Sequence, residues 1–278
     1  MRADKHAIPG VGSYPPDAGR DTTTRFLKVT GKPGPASSVT DGISILFPLR
    51  RAGDTERTYI AAMRHKVLIN PRAAGGRPLE LLPKMREWTA DHPHTYDYVI
   101  TESRNHLIEE ASAARNEAYD SVLAMGGDGT MHDVVSTARL DGPLYGMLPC
   151  GRGNDFPRNL GFPGSLRRAV QGMRNPGIET IDLPTINGKP FLSIAGVGFD
   201  SLIARKVRDS KCRFGGTLCY VIALFQVLTT FKPVELTFFI DGDTMLNGRY
   251  MLVVAANGKA YGGGMTIAPH ADIGDGYL

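Results

Sequence analysis

Gly126-Gly127-Asp128-Gly129-Thr130 constrains the fold of this chain more than any other segment. It follows a short apolar run, Ser121-Val122-Leu123-Ala124-Met125, that reads as a buried strand. It precedes Met131 to Ala138, which reads as a helix. A strand that breaks into a glycine-rich turn and then starts a helix lets backbone N–H groups approach an anion. The helix N-terminus adds a partial positive charge there. Thr130 is expected to cap the helix, with Asp133 as its capping-box partner. Asp128, set between glycines, is placed to orient the loop or to help hold Mg²⁺ near phosphates. The segment points to a nucleotide enzyme.

The neighbouring sequence repeats the alternation. Lys66 to Ile69 reads as a strand and Asn70-Pro71-Arg72-Ala73-Ala74-Gly75-Gly76 as a turn. A helix is expected over residues 82–90, with Leu82, Met85 and Trp88 on one face and Pro83 in its first turn. Residues 96–101 read as a strand, 105–118 as a helix and 144–148 as a further strand. A second glycine turn, Pro149-Cys150-Gly151-Arg152-Gly153-Asn154-Asp155-Phe156, follows, with Asn154 or Asp155 as helix cap and Arg152 able to pair with phosphate. The pattern predicts an α/β fold with a doubly wound, mostly parallel sheet. Its ligands then sit beyond the carboxyl ends of the strands.

The flanking regions differ in texture. Residues 1–62 are rich in Pro, Gly and Thr and read as a disordered or weakly ordered leader, apart from the apolar run Ile43 to Phe47. Met63-Arg64-His65 opens directly into a strand, so Met63 is expected to be the natural start and the leader an upstream translation artefact. The nucleotide-binding domain is therefore expected over 63–178. Residues 179–278 are expected to form a β-rich domain with strands at 191–195, 234–240 and 250–256, a turn at 241–243 and a helix around 218–229.

Composition narrows the class. The chain has 278 residues, 42% of them hydrophobic and 22% charged, with a net charge of +4, values that fit a globular protein and do not call for nucleic acid. Its three cysteines, Cys150, Cys212 and Cys219, form no zinc spacing and fit a reducing, cytoplasmic compartment. His92, His94, His106 and His270 show no metal or triad spacing. The basic residues Arg158, Arg167, Arg168, Arg174, Arg205, Lys206, Arg208, Lys211 and Arg213 read as solvated faces, or as contacts to an anionic membrane surface. The sequence leaves a homodimer open.

Taken together, the motifs resemble the diacylglycerol kinase catalytic domain family, which includes bacterial lipid kinases and sphingosine kinases and is similar to the NAD kinases. The resemblance rests on Asn70-Pro71 with Gly75-Gly76, on Gly126 to Thr130, and on Gly151-Arg152-Gly153-Asn154-Asp155-Phe156. It extends to Gly196-Val197-Gly198-Phe199-Asp200, Asn257-Gly258, Tyr261-Gly262-Gly263-Gly264-Met265 and Ala268-Pro269. It implies ATP contacts at Asn70, Thr101, Gly126, Gly127, Asp128, Gly129, Thr130, Gly151, Arg152, Gly153 and Asn154. It implies catalysis at Asp128, and a magnesium site at Asp275 with carbonyls of Asp272 and Tyr277.

The implied activity is phosphoryl transfer from ATP to a lipid hydroxyl, of diacylglycerol type first, by a protein bound peripherally to the inner membrane face. The turn at Gly196 and the apolar helix from Leu218 would help line the lipid pocket. Arg152 stands where many members have Thr, and His132 and Asp133 where Asn and Glu are usual. The family continues past the Asp275-Gly276 pair to an Asp-Gly-Glu motif whose Glu serves as general base, and that segment is not within these residues. Two other readings share part of the pattern. A soluble NAD kinase has the first glycine loop but not the second motif. A non-catalytic nucleotide- or lipid-binding protein would keep the loops without the base.

Overall fold

The computed structural model describes residues 29–30, 42–48, 62–138, 141–162, 164–186, 189–199, 202–203, 206, 222–223, 225–240 and 244–278. The first strands are β1 (Val29–Thr30), β2 (Gly42–Pro48), β3 (Arg64–Ile69), β4 (Thr95–Ile100), β5 (Ser121–Gly126), β6 (Leu144–Pro149) and β7 (Pro176–Asp182). Six of them form one sheet in the order β4-β3-β5-β6-β2-β7, in which every pairing is parallel except β2 with β7. The helices are α1 (Arg77–Thr89), α2 (Arg104–Ala113), α3 (Asp128–Val135), α4 (Asp155–Asn159) and α5 (Leu166–Gly172).

Burial on both faces explains why β3, β5 and β6 read as continuous apolar runs rather than as alternating ones. One core lies under α2 and α3, where Leu107, Ala111, Met131 and Val134 pack on Leu68, Val122, Ala124 and Met147. The other lies under α1 and α5, where Met85, Leu166 and Val170 pack on Val67, Ile69, Leu123 and Leu148. The expected doubly wound sheet is therefore present. Lys66 is buried at 2% exposure within it, and its Nζ reaches Glu110 at 2.7 Å and Glu117 at 2.6 Å. Burial pushes its pKa down, but the two glutamates more than offset this and hold the ammonium charged.

Several expectations are corrected. Residues 42–48 are not a loose leader: β2 is an interior strand, hydrogen-bonded to β6 on one side and β7 on the other. Its Ile43, Ile45 and Leu46 are 3%, 0% and 1% exposed, so the apolar run is long enough to be a fully buried strand. A chain starting at Met63 would lack it. The rest of the expected leader, apart from Val29–Thr30 and Ala62, lies outside the described residues. The first sheet runs to Asp182, past the expected boundary at 178.

The helices also shift. α1 begins at Arg77, so Pro78 occupies the first turn and Pro83 is interior. There Pro83 removes one helical N–H bond. α2 ends at Ala113, short of the expected 118.

The second region is β-rich, as expected, and its strands pair antiparallel. β8 (Thr185–Ile186) pairs with β1 and with β9 (Lys189–Pro190). β10 (Ile194–Gly198) pairs with β13 (Leu252–Ala256), and β14 (Ala260–Tyr261) with β15 (Met265–Thr266). The hairpin joins β11 (Val234–Ile240) to β12 (Thr244–Tyr250), so residue 250 ends this hairpin rather than starting the next strand. Its turn at 241–243 lies outside the described residues.

Of the helix expected from Leu218, residues 222–223 and 225–228 are helical, with Ala223 and Val227 buried against Ile203. Its other residues before Thr229 lie outside, as do Cys212, Cys219, Asp200, Arg205, Arg208, Lys211 and Arg213. Among the described residues no helix is long and apolar enough to cross a membrane.

At the far end of the sheet from the glycine turns, three histidines gather. His65 is fully buried, its Nδ1 2.6 Å from Ser121 Oγ, with Nε2 unpartnered among the described residues. Its ring packs 5.2 Å from that of His94 and 4.7 Å from that of Tyr96. Burial, and then the neighbouring His94, push its pKa down to about 3.

Two predictions follow from this packing. Ile45→Ala should destabilise by about 2–4 kcal/mol, read as a lower denaturant midpoint at unchanged slope. An unchanged midpoint would remove β2 from the core. His65 stays neutral in the folded chain while the unfolded chain binds a proton below about pH 6.5. Stability should therefore fall on acidification from there, by up to about 1.4 kcal/mol per pH unit from this group. His65→Gln should flatten the pH dependence of the melting temperature between about pH 6.5 and 4. Equal slopes in parent and variant would contradict this.

Candidate functional site

The sheet reverses direction between β3 and β5. From β3 the chain steps outward to β4 and then returns to the other side of β3 to lay down β5. At such a switch point the connections leaving two neighbouring strands part, and a crevice opens beyond their carboxyl ends. An open cleft of about 580 Å³ lies there. The turn after β3 supplies Asn70, Ala73 and Ala74, the start of α3 supplies Gly127, Gly129 and Thr130, and the turn after β6 supplies Gly151 and Arg152.

Backbone bonding fixes these turns to one another. Gly126 O accepts from Cys150 N at 2.7 Å and from Gly151 N at 3.0 Å. A Cβ on Gly151 would stand 2.5 Å from Gly127 Cα, and one on Gly126 would stand 2.3 Å from Thr130 Oγ1. The bare Cα of Gly151 thus lets two backbones close up, and that of Gly126 makes room for the Thr130 side chain. Gly129 is different, because a Cβ there meets nothing within 4 Å. No side chain caps α3, whose N-cap is Gly127. Thr130 N and Met131 N turn back onto Gly127 O, so of the leading N–H groups those of Asp128 and Gly129 are left for an anion or water.

The expected capping box is not formed. α3 begins at Asp128, which places Thr130 inside its first turn, where Oγ1 accepts from Asn70 Nδ2 at 2.9 Å. Asp133 instead takes a forked bond from Arg104, with Nε and Nη2 at 2.7–3.0 Å. Asn154, at the N-cap of α4, makes no side-chain cap either. It sits in the left-handed region at φ 51°, its Nδ2 donates to Gly151 O, and its Oδ1 is buried with no partner among the described residues. That orphaned acceptor is available to a ligand N–H or O–H. Asp128 Oδ1 accepts from Phe156 N at 2.8 Å, and its other oxygen has no partner among the described residues.

Of the eleven positions expected to contact ATP, the structure brings Asn70, Gly127, Gly129, Thr130, Gly151 and Arg152 to the cleft wall. Gly126, Asp128, Gly153 and Asn154 sit in the same turns behind it. Thr101 is not brought there: it is 3% exposed, and both its N–H and its hydroxyl go to Ile69 O.

Arg104 was not among the expected residues, yet it lines the cleft with its side chain 68% exposed. Its signal was its place in the first turn of the helix after β4, at the carboxyl edge of the sheet. The thiol of Cys150 is buried beneath the second turn, and burial pushes it up to about 12, so it takes no part as a nucleophile.

The expected magnesium residues lie elsewhere. Asp272 Oδ1 accepts from Gly274 N, and Asp275 Oδ1 from Tyr277 N. The turn they form hooks onto the end of β7, where Asp182 Oδ2 accepts from Gly276 N at 2.6 Å. Among the described residues no three acidic, histidine or cysteine side chains are arranged to hold a metal ion. Each of these carboxylates has one oxygen turned onto its own loop.

A doubly wound sheet with a glycine-walled cleft at its switch point, followed by a β-rich domain, defines the NAD kinase-like class. The model of the diacylglycerol kinase catalytic domain matches residues 64–186, and that of the YegS C-terminal NAD kinase beta sandwich-like domain matches residues 193–278. The chain belongs to the diacylglycerol kinase catalytic domain family.

A diacylglycerol kinase of Mycobacterium tuberculosis (strain ATCC 25618 / H37Rv) is 35% identical over 181 residues, covering 62% of this chain and 57% of the relative. One of Bacillus subtilis (strain 168) is 32% identical over 174 residues, covering 62% and 56%. The chain thus spans somewhat over half the length of these relatives. A crystal structure of a diacylglycerol kinase from Bacillus anthracis str. Sterne has a TM-score of 0.58 at 22% identity, covering 77% of this chain and 71% of that one, a likeness of fold.

The site's stability consequences differ between its glycines. Gly151→Ala must push two backbones apart and should cost about 1–3 kcal/mol. Gly129→Ala has open space on a helix and should hold or raise stability by up to about 1 kcal/mol. Thermal melts of the two variants check this, and equal losses would contradict it.

Proposed function

We propose that this cleft binds ATP and that the chain transfers the γ-phosphoryl group to a lipid hydroxyl, with a diacylglycerol-type acceptor foremost. The observation that carries the reading is the uncapped start of α3, opening into the cleft with Arg152 and Arg104 on the walls. Leading helix N–H groups and the Arg152 guanidinium form a cradle for a polyphosphate, with Arg104 held beside it by Asp133. The orphaned Asn154 Oδ1 adds an acceptor beside it. The names of the relatives support the lipid class, and the second glycine turn, with Asp155 and Phe156 after it, favours it over an NAD acceptor.

In this reading the acceptor oxygen attacks the γ-phosphorus in line and gives up its proton to water, the bond to the bridging oxygen breaks, and ADP leaves. Phosphoryl transfer needs positioning and charge stabilisation more than covalent chemistry. Arg152 and the α3 amides hold the transferring group. Asp128, with one oxygen fixed by Phe156 N, keeps its free oxygen for orienting the reacting groups. Magnesium enters only as the counter-ion of ATP, as part of the substrate. The acceptor is met at a bilayer surface by peripheral contact.

The test is a radiolabelled-ATP assay over diacylglycerol, a sphingoid base, a polyprenol and NAD. Label should pass to a lipid and not to NAD, and Asp128→Asn should lower turnover by at least about a hundredfold while nucleotide still binds. Label on NAD alone would overturn the lipid reading. Unchanged turnover in Asp128→Asn would take Asp128 out of the site.

A further inference from the structure

The short helix α4 is bonded at both ends, to different domains. Its polar side chains reach out of the first domain to the loop that carries β14 and the glycines after it. Asp155 Oδ2 accepts from Gly263 N at 2.8 Å. Asp155 Oδ1 accepts from Arg158 Nη1 at 2.5 Å, and Arg158 Nη2 donates to Gly153 O at 3.2 Å. Arg158 also lies against Gly264, where a Cβ would stand 3.0 Å from Nη1. Asn159 pairs with Ala260 at two points, Nδ2 donating to Ala260 O and Oδ1 accepting from Ala260 N, each at 3.0 Å. Its side-chain amide stands in for a neighbouring strand.

The other attachment runs to the cleft. Phe156 N, in the first turn of α4, holds Asp128 Oδ1, and Gly153 belongs to the turn whose Gly151 and Arg152 wall the cleft. A displacement of Asp128 or of the second glycine turn therefore moves α4, and α4 is fastened to Gly263 through a carboxylate with both oxygens used. Charge-assisted bonds of this kind are stiffer and stronger than neutral ones. Asp155 is shielded, with its side chain 13% exposed.

The far end of this linkage is unusual backbone. Gly262, Gly263 and Gly264 are all left-handed, with φ of 65°, 92° and 104°. A side chain at Gly263 would meet nothing within 4 Å, so the turn offers bare main chain to its surroundings.

We propose that Asp155 and Arg158 are positioning residues that couple the nucleotide cleft to the Gly262-Gly263-Gly264 turn, and that this turn belongs to the acceptor side of the reaction. The proposal rests on the ATP reading above and extends it. Transfer between two substrates held by two domains requires the reacting atoms to be brought to about 3–3.5 Å in line. The Asp155–Arg158 clamp sets that distance by tying the phosphate-binding turn to the second domain.

Hydrogen–deuterium exchange of the full chain, with and without the non-hydrolysable analogue β,γ-imido-ATP, tests the coupling without requiring turnover. In the parent, the analogue should slow exchange at residues 126–130 and, by at least about fivefold, at residues 257–266. In Asp155→Asn and in Arg158→Lys, which keeps the charge but not the two-point bridge, nucleotide affinity should stay within about threefold of the parent while protection at 257–266 is lost. A purely structural role would change the melting temperature without separating the two regions. Nucleotide binding with no protection at 257–266, or protection retained in both variants, overturns the coupling alone. Failure of the parent chain to bind the analogue overturns the ATP reading and the coupling with it.

Discussion

The carbonyl of Gly126 accepts two backbone N–H groups, from Cys150 and from Gly151, and the rest of the site hangs on that three-way junction. It joins the ends of neighbouring parallel strands β5 and β6, already in register as Gly126 with Pro149. The two turns come so close that no Cβ fits between Gly127 and Gly151. The floor of the cleft is therefore main chain, and main chain offers N–H groups at fixed positions with no rotamer to order. α3 starts from one side of the junction and α4 from the other. The Asp128–Phe156 bond then ties the two helices together.

The sheet beneath explains why the junction holds its shape. β3 and β5 are buried on both faces, and Val67, Leu68, Ile69, Leu123, Ala124 and Met125 are all fully buried. Strands packed this way cannot slip without exposing one face, so the turns at their ends inherit a fixed register. β2 extends the same logic, since it fills the space between β6 and β7 and carries the sheet on to Asp182. From there the loop Asp272–Gly276 and the strands of the second domain are anchored, with Asp182 N bonded to Ile273 O at 2.8 Å.

Much of this was legible in the residues. The run Ser121 to Met125 broken by glycines was read as strand, turn and helix, and the switch-point cleft lies where that reading placed a ligand. Failures arose where tertiary partners outweighed local rules. Thr130 carries a capping residue's chemistry, but α3 begins earlier, at Asp128, and Asn70 from a remote turn takes the hydroxyl's acceptor. Thr101 stands at the end of a strand like a ligand contact, yet its hydroxyl closes onto Ile69. Ile43 to Phe47 lay in a stretch of poor composition, and no local signal shows that a strand will be inserted between β6 and β7. Arg104 was passed over because an exposed arginine on a helix is ordinary until the topology puts that helix start at the cleft.

The central claim is that the uncapped start of α3 and the Gly151-Arg152 turn receive the phosphates of a nucleotide. Its most direct test is a crystal structure of the chain with β,γ-imido-ATP. Phosphate oxygens should lie within about 3 Å of the N–H groups of Asp128 and Gly129 and of the Arg152 guanidinium. A nucleotide bound elsewhere on the chain, with Gly127 to Thr130 free of phosphate, would contradict it.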